Sequence, residues 1–287
     1  MAAASSNLRR RVARVRSSGR SLHAHTIFDA EPRLANLLDL AGMGHFEAWW
    51  QLDLSTVEPG NQKRGGWSTV SRYGLPGPDG SPIGLYIKRQ QDHVYRTWRH
   101  PLRGRLTGGR ELDMLRRCGA AGIAVAEPVL YAQRLSGGHL QGVLATRELV
   151  GYRALEDLIA DWHRDGPPPR RYRLRLLRAI ATLVRALHDA NLEHNCLYPK
   201  HLMVLTTWPG DNRNGNAPPV ALIDLEKCKW RWRRSACTRR DLGSLHRRSA
   251  GWSRTDRRRF LGWYLGAGPR LPRRHRRLWR NLARQGA

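Results

Sequence analysis

Between Leu176 and Asp224 the chain passes from an amphipathic helix, through a dense polar loop, to two short apolar strands, and few folds accommodate that order. Leu176, Leu177, Ile180, Leu183, Val184 and Leu187 recur at helical spacing and give the helix one apolar stripe. It ends just before His194-Asn195-Cys196-Leu197-Tyr198-Pro199-Lys200-His201, a loop rich in groups able to move a proton or hold an ion. Leu202–Leu205 and Val220–Ile223 read as strands, separated by a Gly/Asn/Pro-rich turn over residues 209–219. Asp224 projects from the end of the second strand. A carboxylate there is expensive to bury unless a metal or another cation compensates it, which favours magnesium over a helix-cap role.

The first half of the chain is strand-rich. Residues 1–30 are basic and poorly periodic, as expected of a flexible N-terminal arm or a frayed helix, and Leu34–Trp50 is helical and aromatic. Two strands follow, around Trp67–Val70 and Ile83–Lys88, with a Pro/Gly turn over residues 75–82. Gly65-Gly66 sits in a turn between strands, where backbone amides could approach a phosphate or where the pair simply makes the turn. Thr107-Gly108-Gly109 opens a helix predicted from Arg110 to Cys118, and Val129–Ala132 pairs with Gly142–Thr146 across Ser136-Gly137-Gly138. The second half is helical: Tyr152–Trp162, a break at Gly166–Pro169, the amphipathic helix, and further helices after Asp241 and after Ser253. This order predicts an α+β chain with a β-rich N-lobe over residues 31–149 and a larger helical C-lobe over residues 150–287.

The formal net charge of +28 arises mostly from arginine, whose planar fork suits phosphate, so either an anionic partner or a merely solvated basic surface follows. Nucleic acid, anionic lipid and a phosphorylated glycolipid all meet the first condition. Nucleic acid ranks last, since no zinc finger or RNA-recognition signature accompanies the arginines. No apolar run reaches membrane-spanning length, and the N-terminus has no continuous apolar segment of a secretory signal. Cys118, Cys196, Cys228 and Cys237 form no CxxC pair and no zinc spacing, which predicts free thiols in a reducing cytoplasm.

The loop aligns with the kinase pattern H-R-D-L-x-x-x-N, and its Leu197–His201 segment is more specific than that frame. With Arg64-Gly65-Gly66-Trp67-Ser68, Leu85–Gln90, Thr107–Glu111 and Ile223–Lys227, the chain resembles the lipopolysaccharide kinase (Kdo/WaaP) family over roughly residues 45–265. Asp241 and the Ser253–Tyr264 helix also look like that family's C-terminal part. The resemblance implies a protein-kinase-like two-lobed fold, ATP with Mg²⁺, and transfer of the γ-phosphate to an inner-core sugar, Kdo or heptose, of lipopolysaccharide or another anionic glycan. It places Gly65 and Gly66 near phosphate, Lys88 and Glu111 in an anchoring ion pair, and Glu148 within a hinge, Thr146–Leu149, that meets adenine. It gives Asp224 and His201 to the metal. His194 reads as a packing residue of the loop in preference to a proton shuttle. On the residues alone, Lys88 is equally a surface lysine at a strand end, and Glu111 equally an acid in a first helical turn.

Cys196 stands where a kinase has its catalytic aspartate. A free thiol, with a pKa near about 8.5, is mostly protonated at neutral pH and orients a hydroxyl poorly. General-base help is worth roughly 10²- to 10⁴-fold, so slow transfer by positioning and electrostatics survives its loss. The resemblance extends to branches carrying the same Cys-Leu-Tyr-Pro-Lys-His form. Two expectations follow: a kinase at the cytoplasmic face of the inner membrane, where Trp230 and Trp232 in the basic segment Lys227–Arg234 would meet a membrane-embedded acceptor or merely pack locally, or a pseudokinase that binds nucleotide or a partner for regulation or envelope assembly.

Overall fold

The computed structural model describes residues 26–57, 59–62, 65–97, 100–207, 217–249, 251–269 and 271–283, with the backbone alone for residues 100–103, 274, 277 and 281. Residues 1–25 of the expected basic arm, Arg64 and most of the 209–219 turn lie outside the described residues. The chain divides into two compact units, Met1–Gly108 with Val129–Thr146, and Gly109–Pro128 with Arg147–Ala287.

The first unit contains β1 (Ile27–Ala30), α1 (Ala35–Leu40), α2 (Phe46–Trp50), β2 (Trp67–Pro76), β3 (Pro82–Gln91), β4 (Val94–Thr97), β5 (His100–Leu106), β6 (Pro128–Ser136) and β7 (His139–Arg147). Five strands form one sheet in the order β1-β6-β7-β3-β2. The tight turn between β2 and β3 is closed by Gly77 N–H to Ser81 O, 3.1 Å, and Gly80 takes a left-handed φ of 82° that favours glycine. Alternation along β3 puts Leu85 and Ile87 on one face, where they join Leu75, Val129, Val143 and Trp49 in the core. Each such side chain contributes roughly 1.5–3 kcal/mol by burial. The Trp49 indole reaches the core with its one donor satisfied by Met43 O at 2.7 Å. β1 falls in the segment read from sequence as the end of the arm; it pairs antiparallel with β6, Ile27 opposite Gln133.

The second unit begins within α3 (Thr107–Ala120) and continues through β8 (Tyr152–Ala154), α4 (Leu155–Asp165), α5 (Arg170–Asp189), β9 (Leu192–Glu193), β10 (Leu202–Leu205), β11 (Val220–Leu222), β12 (Lys229–Trp230), α6 (Arg234–Arg248), α7 (Arg254–Tyr264) and α8 (Arg276–Ala283). α5 starts directly after Pro169 and buries the stripe from Leu176 to Leu187 that its spacing predicts. Ser253 caps α7, its Oγ accepting from Asp256 N–H at 3.1 Å. Two helix expectations are corrected. Tyr152–Ala154 is not helical but a strand against β10, and α6 does not begin after Asp241 but at Arg234, with Asp241 buried in its middle. All four cysteines lie in this unit, free and buried. Burial pushes the Cys118 thiol up to about 12 and the Cys237 thiol up to about 11.

Candidate functional site

The polar loop leaves α5 through β9 and closes in a 3-10 turn, Pro199–His201, that leads straight into β10. Its conformation is imposed from α6. Asp241, fully buried, accepts hydrogen bonds from the backbone N–H of His194 at 2.7 Å and of Asn195 at 2.8 Å. A third comes from His188 Nε2–H on α5 at 3.0 Å, and His188 Nδ1 in turn accepts from the Tyr264 hydroxyl at 2.9 Å. Three donors compensate a charge that would otherwise be costly to bury. They also hold Asn195 in the left-handed region at φ 66°, a conformation that a non-glycine residue keeps only when its surroundings over-determine it. The residue that fixes the loop therefore sits 46 positions beyond Asn195. In the sequence Asp241 reads as the residue before a helix and as part of the family's C-terminal likeness, and a lone acid in an arginine-rich stretch is the one signal of its role.

His194 and His201 stack with ring centroids 5.5 Å apart. His194 Nε2–H donates to Ile223 O at 3.1 Å, so the loop is tied to the residue before Asp224. Its Nδ1 is buried without a partner, and burial holds the ring below the usual histidine range. His201 Nδ1 lies 2.7 Å from the Cys196 carbonyl, to which it donates, and Nε2 lies 3.2 Å from Asp224 Oδ2. Burial pushes His201 down to about 4, against the attraction of Asp224, which favours the charged ring. Asp224 is itself left-handed, at φ 58°, and a partly exposed side chain. Cys196 is buried, its carbonyl engaged by His201.

The first unit holds Gly65, Gly66 and Lys88. Thr56 and Asn61 bridge to β2, opposite Ser71 and Ser68, and Gly65 and Gly66 lead into the start of β2. Gly65 has φ 78°, and a Cβ on Gly66 would lie 2.1 Å from Gln91 O. Lys88 is half-buried on β3, on the face opposite Ile87. Two positions along the same face, Gln90 is buried and gathers three of the sequence segments quoted above. Its Nε2 donates to Thr107 Oγ1 at 2.7 Å and Ser68 Oγ at 3.3 Å, and its Oε1 accepts from Gly108 N–H at 2.8 Å. A Cβ on Gly108 would stand 3.0 Å from that oxygen. Gln90 carried no role in the sequence reading, because its partners are 17 to 22 positions away.

Glu111, Glu148, His194, Cys196, His201 and Asp224 belong to the second unit. α3 starts at Thr107 and not at Arg110, so Glu111 lies beyond the first turn, and its burial does not suit a surface acid compensating the helix dipole. α3 is fastened near Asp224 by Arg110 Nε to Glu226 O at 2.6 Å, and the strand leading from it by Leu222 N–H to Ala124 O at 2.9 Å. Glu148 is half-buried in the connection after β7. Of the residues singled out from sequence, the structure brings together His194, Cys196, His201 and Asp224.

A strand-rich unit with a lysine on its hairpin, and a helical unit whose loop is clamped by a buried helix aspartate beside an aspartate at a strand end, define a protein-kinase-like fold. A solved structure described as WaaP in complex with acyl carrier protein superposes with a TM-score of 0.65 at 25% identity, covering 90% of this chain and 95% of that one. The chain belongs to the lipopolysaccharide kinase (Kdo/WaaP) family, a family of phosphotransferases, whose model matches residues 47–264. Among its relatives, Protein InaA of Escherichia coli K12 is 29% identical over 70% of this chain and 87% of its own length. The lipopolysaccharide core heptose(I) kinase WaaP of Pseudomonas aeruginosa is 30% identical over 54% of this chain and 58% of its own. An Escherichia coli kinase of the same name is 26% identical over 56% and 61%. The chain thus matches about three fifths of the length of the WaaP relatives.

Proposed function

We propose that this chain is an ATP-dependent kinase that phosphorylates an inner-core sugar hydroxyl of lipopolysaccharide, Kdo or heptose, as a peripheral protein at the cytoplasmic face of the inner membrane. The observation that carries it is the clamped loop: Asp241 fixes the backbone of His194 and Asn195, and the loop in turn presents His201 to Asp224. Phosphoryl transfer demands positioning and charge neutralisation more than covalent chemistry from the protein. In the first unit Lys88 is assigned to the phosphates and Gly65 and Gly66 offer backbone amides; in the second, Glu111 and Glu148 take the acid and hinge positions that the family resemblance implies.

The donor set fits a divalent cation. Among the described residues no three His, Cys, Asp or Glu side chains gather into a full metal cage. The Asp224 carboxylate, partly exposed, and the His201 imidazole lie 3.2 Å apart, close enough for both to reach one cation. Mg²⁺ favours oxygen donors, keeps waters and takes phosphate oxygens, so the Asp224 carboxylate would be its main protein ligand, with His201 the second that the family resemblance implies. When bound it neutralises charge developing on the phosphoryl group. Cys196 lies on the loop where an acceptor hydroxyl would be oriented, and transfer proceeds there without a side-chain carboxylate. The acyl carrier protein bound to the structural relative is carried over as a candidate partner of this basic chain, tested by co-elution.

Cys196 is also the observation that favours the second reading, a pseudokinase binding nucleotide or a partner. Radiolabelled γ-phosphate transfer to core oligosaccharide separates the two. Transfer that persists in Cys196→Ala, rises in Cys196→Asp and vanishes in Asp224→Ala is the result expected of the kinase. No transfer by any form, with a Mg-ATP thermal shift that disappears in Lys88→Met, would assign the pseudokinase.

A further inference from the structure

Beside the loop, the segment after Asp224 builds a surface that neither nucleotide nor the clamp requires. β12 pairs with β9, Lys229 opposite Glu193 and Trp230 opposite Leu192, and Arg231 N–H donates to Asn191 O at 2.8 Å. This anchoring holds a tryptophan pair in the open. Trp230 is 44% and Trp232 88% exposed, and their rings meet each other edge-on at 4.8 Å. The two rings pack on each other, yet both remain open to solvent. Between them Arg231 turns inward, its Nε 2.5 Å from the carboxylate of buried Glu193.

Next to the pair lies an open hollow of about 440 Å³, lined by Glu193, Arg231, Ala236, Arg239, Arg240 and Arg247. Four guanidinium groups face one carboxylate, which Arg231 already engages. Over Lys227–Arg248 the chain carries nine lysines and arginines and one acid, Asp241, which is buried in the clamp. Of these, Arg231 and Arg240 reach Glu193 and Arg234 pairs with Asp189, so positive charge remains in excess over the acids at hand.

Exposed indoles and convergent guanidinium groups ask for a partner that is apolar in depth and anionic at its surface. An acidic protein or a soluble phosphate supplies the second property without the first. A bilayer interface supplies both, with indoles at headgroup level and arginines on lipid phosphates. We infer that the Trp230/Trp232 pair and the arginine-lined hollow beside it form the docking surface of this chain on an anionic lipid bilayer. The inference rests on the peripheral placement proposed above and not on catalysis, because docking is read without phosphate transfer.

The test is flotation of the full chain with vesicles of phosphatidylcholine containing 30 mole per cent phosphatidylglycerol, against vesicles of phosphatidylcholine alone. Wild type binds the anionic vesicles and is released by salt. Trp230→Ala/Trp232→Ala lowers partitioning by at least about tenfold, since two large apolar groups leave the interface. Arg239→Gln/Arg247→Gln weakens it by about fivefold per charge removed. All four positions are solvent-facing, and thermal melting checks that the variants remain folded. Unaltered flotation of the tryptophan variant overturns the assignment of this surface while leaving peripheral placement intact, as would follow if other arginines carried the binding. No flotation of wild type overturns both. Displacement by soluble glycerol phosphate at equal phosphate concentration, or retention of a small acidic protein with no vesicle binding, would replace the bilayer with those ligands and overturn the inference.

Discussion

Asp241→Asn tests the loop clamp directly, because the substitution keeps shape and removes charge. In the wild type Oδ2 accepts from His194 N–H at 2.7 Å and His188 Nε2–H at 3.0 Å, and Oδ1 accepts from Asn195 N–H at 2.8 Å. An asparagine that places its oxygen at the Oδ2 position keeps two acceptances, each now neutral and about half as strong. Its amide nitrogen then meets the Asn195 N–H donor to donor, leaving a buried backbone group unsatisfied at about 1–3 kcal/mol. With the two weakened bonds the loss comes to about 2–5 kcal/mol, a large part of the roughly 5–15 kcal/mol that holds a domain folded. Urea unfolding followed by tryptophan emission measures it. Phosphate transfer, assayed where the variant is still folded, falls further, about 10²-fold, because a displacement near 1 Å of a positioned group is that damaging. A variant within about 0.5 kcal/mol of wild type and with unchanged turnover would refute the clamp as the source of loop geometry, since that lies within the scatter of neutral surface changes.

Gln90→Leu strips Thr107, Ser68 and Gly108 of one shared partner and is expected to lower stability by about 2–4 kcal/mol; a midpoint of urea unfolding equal to wild type would contradict this. Gly66→Ala drives a methyl into Gln91 O and the following backbone, so a lowered melting temperature is expected and an unchanged one would count against that contact. His246 is pushed down to about 3 by burial, with Arg257 adding to the effect. Its folded pKa lies below its unfolded value, so its neutral form is favoured by the fold; that stability is complete above about pH 6.5 and declines as pH falls toward 3, by up to about 1.4 kcal/mol per unit. His246→Leu should flatten the acid limb of stability between pH 6.5 and 5, and an equally steep limb would exclude His246 as its cause.

What was legible in the sequence was local. The stripe on α5 announces itself by spacing, and the loop with Asp224 by residue type and order. Tyr152–Ala154 was misread because an isolated three-residue strand has no period, and only its partner β10, some 50 residues on, makes it extended. α6 was started too late because Arg233, Arg234, Arg239 and Arg240 obscure its buried face, and a buried aspartate is identical in sequence to an exposed one. Glu111 reads as a first-turn acid because Gly108 and Gly109 look like the lead-in to a helix, whereas Thr107–Gly109 are already helical and Gly108 N–H is held by Gln90. Each miss involves a partner far along the chain.

The distribution of cysteine gives this chain a built-in reporter. All four thiols are buried in the second unit and none lies in the first. A thiol reagent added to the native protein is therefore blind to motion of the β-rich unit. Every modification it records dates an opening of the helical one, and Cys196 dates the opening of the loop itself. Comparing its labelling rate with that of Cys118, Cys228 and Cys237 would time loop release against unfolding of the surrounding helices, without a mutation or an added probe.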